Sequence, residues 1–142
     1  MTEQKNTFRF IPFLPGIAWF LFVLALICMP GDDLPEEPGW FNIPHLDKIV
    51  HAGLFGGLVF WFCLPFRKMM ITRPQKINWF IKITIASILW GIATEYIQKF
   101  FLTGRQFDLV DWAADSAGAI IAFFLSRKLF LNPKPSTSNL KL

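Results

Sequence analysis

The chain has 142 residues, 54% of them hydrophobic, with 17 Phe, 6 Trp and a mean hydropathy of +0.43. That is more apolar surface than a single water-soluble domain of this length hides, which excludes an ordinary soluble enzyme. The formal net charge is +4, but the basic residues are clustered and are not interleaved with aromatics, so they describe a membrane topology and not a nucleic-acid surface.

Four apolar segments, near residues 12–30, 48–66, 79–98 and 109–131, approach the roughly 20 residues that cross a bilayer. Lipid offers no hydrogen bonds to the backbone, so each is expected to be a helix. The expected fold is an all-α membrane protein, a bundle of four transmembrane helices forming one domain over residues 1–131. The polar remainder, 132–142, is expected to be a disordered cytoplasmic tail.

The first segment carries Pro12 and Pro15 where a helix tolerates them, in its opening turn, and stops at Pro30-Gly31. No small-residue cleavage site follows, and Ile27 before Cys28 is too bulky for lipoprotein processing, so the segment reads as an uncleaved span. Lys5 and Arg9 precede it, Arg67, Lys68, Arg73 and Lys76 lie between the second and third spans, and Arg127, Lys128, Lys134 and Lys141 follow the fourth. These three regions should share the cytoplasmic side of the inner membrane, with both termini inside. The stretch from Gly31 to Leu46 has no Lys or Arg and carries Asp32, Asp33, Glu36 and Glu37, so it should face outward, with Trp40 at headgroup depth. Cys28 and Cys63 then lie about 22 Å apart in depth and are expected to be free thiols.

The ionisable residues inside the spans gather at one level. Asp47, Lys48 and His51 share a face at the start of the second span, and Glu95 and Gln98 share one near the outer end of the third, continued by Ser87 and Gly91. Asp111, Asp115, Gly118 and Ala122 form a matching stripe on the fourth, while small residues, Gly53 and Gly57 among them, should permit close helix approach. Asp47 and Asp108 are also suited to helix N-caps. Glu95 and Asp115 lie one to two turns below the interface, where an unpaired carboxylate is expensive, so partners or a function are expected for them.

His51 and Glu95 are the candidate proton-transfer groups. Lys48 and Arg105 are the candidate anion holders, aided by two helix N-termini, and Asp47, Gln98, Asp108, Asp111 and Asp115 complete the ligand-binding set. Arg105, after Gly104 in a short outer turn, is expected to fold back onto Glu95. No complete nucleophile and base constellation stands out, which leaves catalysis open. The carboxylates outnumber the cations, and protonation balances the excess more readily than a metal, so neither metal nor cofactor is expected.

Taken together and in order, D-K-x-x-H at Asp47, Lys48 and His51, E-x-x-Q at Glu95 and Gln98, G-R-x-F-D-x-x-D from Gly104 to Asp111, and the D-x-x-G of Asp115 and Gly118 resemble the VanZ-like integral membrane protein family, over roughly residues 12–130. The chain departs from that family's pattern at Asp115, where Asn is usual, and at Ala122, where Gly is frequent. The resemblance implies a cell-envelope role, because the family is named for a protein linked to low-level resistance to the glycopeptide teicoplanin. An outward-facing polar site that binds or handles an anionic envelope or lipid-linked ligand is the expected function, with membrane lipid or a lipid-linked envelope precursor as partner. The alternative is a structural or partner-binding protein whose polar cluster only locks the helices. A proton-coupled transporter comes third, since four spans without an internal repeat suit alternating access poorly.

Overall fold

The computed structural model of the protein describes residues 10–28, 46–104 and 106–131. A short 3-10 turn, Ile11–Phe13, leads into α1 (Leu14–Ile27); α2 (Leu46–Cys63) runs on into a second 3-10 turn, Leu64–Arg67; α3 (Arg73–Phe101) and α4 (Leu109–Phe130) complete the fold. No strand occurs among the described residues.

Three of these helical stretches, Leu46–Arg67, Arg73–Phe101 and Leu109–Phe130, are long and apolar enough to cross a membrane. The remaining apolar stretch, Ile11–Ile27, is shorter. Residues 29–45, the tail from 132 onward and Arg105 lie outside the described residues, and with them the interfacial placing of Trp40, the disordered tail and the pairing of Arg105 with Glu95. Helix α3 begins at Arg73, before the expected start of its span, because Thr72 supplies a reciprocal cap: the Gln75 N–H donates to the Thr72 hydroxyl while the Gln75 side chain accepts from the Thr72 N–H at 2.9 Å.

The closest helix pair is α2 with α4, and the reason is glycine at the crossing. A Cβ added at Gly118 would lie 2.0 Å from the Ala52 carbonyl oxygen, and one at Gly56 would lie 3.1 Å from the Gly118 carbonyl oxygen. Backbones approach this closely only without side chains between them, and in lipid such packing is itself the main force that joins helices. The expectation for Gly53 and Gly57 divides here. Gly57 makes room for Trp19 of α1, whose indole N–H donates to the Leu54 carbonyl at 2.9 Å, whereas Gly53 faces open space.

Away from the polar end, the interior is mostly apolar, with Thr84, Ser87 and Ser126 as buried polar exceptions. Val59, Cys63, Phe66, Phe80, Ala119 and Phe130 form one cluster, and Val23, Ile27, Phe55 and Leu58 join α1 to α2. Leu21, Ile85, Leu89, Ile121 and Phe124 point outward and exposed, as side chains facing lipid do. Cys63 is buried, Cys28 is exposed, and both are free thiols.

Candidate functional site

The start of α2, the end of α3 and the start of α4 meet at one end of the bundle, as successive antiparallel helices must, and this end carries the ionisable residues. Lys48 is its outermost organiser. Its ammonium donates to Asp108 Oδ2 at 3.0 Å and to Asp111 Oδ1, and it pairs with Asp47 Oδ2 at 3.0 Å, so one cation ties α2 to α4. Asp108 also caps α4, accepting the Val110 N–H at 2.7 Å. The hydrogen bond from Lys48, reinforced by that backbone donor, holds the Asp108 carboxyl below the usual carboxylate range.

One turn deeper, His51 Nδ1 lies 3.0 Å from Asp115 Oδ1, and its Nε2 is 4.0 Å from Asp111 Oδ2. Glu95, on α3, reaches the start of α4 from the other side, where its Oε2 accepts the Asp108 N–H at 2.8 Å. Glu95 is 1% exposed and Asp115 is fully buried. Each keeps one oxygen, Glu95 Oε1 and Asp115 Oδ2, with no hydrogen-bond partner among the described residues. Both are thus half satisfied, at a depth where an unpaired polar atom is costly.

Gly91 explains how Asp115 fits. A Cβ there would come within 3.2 Å of Asp115 Oδ2 and 3.3 Å of the Trp112 ring, so the bare backbone of α3 is the wall against which the carboxylate rests. Gln98 is buried on α3, one turn beyond Glu95. Two further residues frame the site without having been singled out in the sequence. Trp112 donates its indole N–H to the Ile88 carbonyl at 3.1 Å, and Thr94 donates its hydroxyl to the Gly91 carbonyl at 2.7 Å. The signal for Trp112 was its place between Asp111 and Asp115, since a part-buried indole seeks an acceptor for its N–H.

The structure therefore brings Asp47, Lys48, His51, Glu95, Asp108, Asp111 and Asp115 into one linked cluster. Chemically it differs from the anion cradle expected at Lys48, because three carboxylates already surround that ammonium and an anion would have to compete with all of them. The cluster is acidic, with five carboxylates around one lysine and one imidazole. His51, Glu95 and Asp115 each bring one ligand atom within 4.8 Å of the others, which makes them the group suited to a cation. Comparison of the chain with protein-family models, curated proteins and solved structures finds no match.

Proposed function

We propose that the protein is a four-span protein of the cytoplasmic membrane, with both termini inside, whose polar site faces outward and binds or handles an anionic envelope or lipid-linked ligand. The observation that carries the reading of a ligand site, as opposed to a lock, is the pair of buried carboxylates, Glu95 and Asp115, each left with an unpartnered oxygen beside His51. The anionic class of the ligand rests on Arg105 and the helix N-termini named from the sequence, not on these acidic groups. A cluster that served only to hold helices together gains nothing from a buried carboxylate oxygen without a partner, which costs more in lipid than the unpartnered hydroxyls of Ser116 and Ser126 or the Trp90 indole. The order of the motifs supports the same reading, since Asp47, Lys48, His51, Glu95, Asp108, Asp111 and Asp115 of the VanZ-like pattern come together in the described residues. An envelope role agrees with an outward-facing site; the glycopeptide connection belongs to the family's name and enters here only through that resemblance.

The competing reading is a structural lock without turnover. Lys48 favours it, since the lysine bridges two helices and spends its charge on protein carboxylates. The two readings differ in what the purified protein carries. Lipid-resolved mass spectrometry of the full chain should find an anionic envelope lipid or lipid-linked precursor enriched over its share of the bulk membrane, and the enrichment should vanish in Glu95→Gln. Bulk lipid composition in both proteins would leave the lock as the account.

Orientation has its own test. Reporter fusions after Gln75 and Leu142 should read inside, and one after Pro38 outside. An external signal from the Gln75 fusion would turn the polar end toward the cytoplasm and overturn an envelope-facing site.

A further inference from the structure

We propose that His51, Glu95 and Asp115 form a binding site for one divalent transition cation of the zinc class. The inference rests on the reading of this cluster as a ligand-handling site, and it names what the site would hold first.

Geometry supports it in three ways. One ligand atom from each residue lies within 4.8 Å of the other two. Donor atoms about 2.0 to 2.2 Å from one zinc ion are at most about 4.4 Å apart, so the three need a small inward shift to share one centre. Second, Glu95 is already held by its Oε2, which accepts the Asp108 N–H at 2.8 Å, and Asp115 Oδ1 lies 3.0 Å from His51 Nδ1, near the spacing of two donors on one zinc ion. The other oxygen of each is buried and without a partner among the described residues. An outer contact such as the Asp108 N–H, which fixes Glu95 while leaving its second oxygen free, is what orients a metal ligand. Third, Gly91 has no Cβ to press on Asp115 Oδ2, which it would meet at 3.2 Å, so α3 leaves that oxygen uncovered by a side chain of its own.

Charge gives the reason for a cation over a second hydrogen bond. Two ionised carboxylates inside a span are balanced by one divalent ion, which leaves the group formally neutral where the membrane penalises net charge. Lys48 does not supply this balance, since Asp47, Asp108 and Asp111 take its charge. The donor set selects the ion. An imidazole nitrogen with two carboxylate oxygens suits zinc and its neighbours better than magnesium or calcium, which favour all-oxygen shells. Three protein ligands leave a zinc ion at least one open position. An anionic group of the ligand would find there an open coordination position, which Lys48 does not offer.

The test is metal binding by the full chain in detergent or nanodiscs, stripped with chelator and then equilibrated with zinc ions alone. Wild type should take up about one zinc per chain, and zinc should raise its melting temperature. His51→Gln and Asp115→Asn should each weaken binding by more than about tenfold. Cys28→Ser, which removes an exposed thiol, should retain the full stoichiometry. Folded, monodisperse wild type that takes up no zinc overturns the inference whatever the variants do, as does zinc binding that survives both His51→Gln and Asp115→Asn. The outcome also separates the inference from the reading beneath it. An enriched lipid without zinc binding overturns the metal site alone, and zinc binding without any enriched lipid supports the metal site while refuting the envelope ligand.

Discussion

Gly118→Ala should destabilise the bundle more than any other addition of a single methyl at the glycines between its helices. The new Cβ would meet the Ala52 carbonyl oxygen at 2.0 Å, its carbon at 2.6 Å and the Ala52 Cα at 2.7 Å. All three are backbone atoms, so no rotamer change relieves the clash and α2 must move away from α4. Overpacking a tight contact costs on the order of 1–3 kcal/mol, and more where the neighbour cannot yield. The loss is amplified here because the α2–α4 crossing also sets the spacing of Lys48 and His51 from Asp111 and Asp115. Gly53→Ala is the matched control. Its Cβ would meet nothing within 4 Å, and the better helix propensity of alanine should leave stability unchanged or raise it by up to about 1 kcal/mol. Melting temperatures of the two variants in the same detergent check both expectations, and equal effects would mean that the crossing is not the one described.

Lys48→Met should be the most damaging change within the polar cluster. It keeps most of the side chain's length and apolar volume but leaves Asp47, Asp108 and Asp111 facing one another without their shared cation. The side chains of Lys48 and Asp111 are 22% and 16% exposed, so water replaces the lost partner only in part. Removing one member of a wholly buried pair costs about 3–5 kcal/mol, and a partly hydrated one should fall somewhat short of that, near 2 kcal/mol. Asp47→Asn should cost well under 1 kcal/mol, because that side chain is 58% exposed and exposed pairs contribute little. The melting temperatures should therefore rank Lys48→Met far below Asp47→Asn, and high salt should narrow the gap by screening the carboxylates that methionine leaves unpaired. Equal melting temperatures for the two would remove Lys48 from the centre of the network.

Both expectations show where the amino-acid pattern was legible and where it was not. Helical spacing put Asp47, Lys48 and His51 on one face, and Asp111, Asp115 and Gly118 on another, and the structure has those faces meeting. Periodicity is a property of one helix. The rotation of one helix against its neighbour is not, and it decides which small residue lies at the crossing. Gly56 and Gly118 do, while Gly53, three positions earlier on α2, faces away. The same limit hid the saturation of Lys48, whose partners Asp108 and Asp111 lie on another helix about sixty positions away. It also hid the triad of His51, Glu95 and Asp115, drawn from three helices, and with it the argument for a cation that composition had set aside. Trp112 escaped for a different reason: its acceptor is the backbone carbonyl of Ile88, and no side chain announces a carbonyl.

The central claim is that Glu95 and Asp115 are kept buried for a ligand and not for the fold. Its most direct test is the melting temperature of the double variant Glu95→Gln and Asp115→Asn against wild type, both stripped of bound ions with chelator. The amide oxygens can still accept from the Asp108 N–H and from His51, while two carboxylates without full partners are removed from the membrane interior. The account predicts a melting temperature equal to wild type or above it. A fall of several degrees would contradict it, and would mean that the two carboxylates serve to lock the helices together.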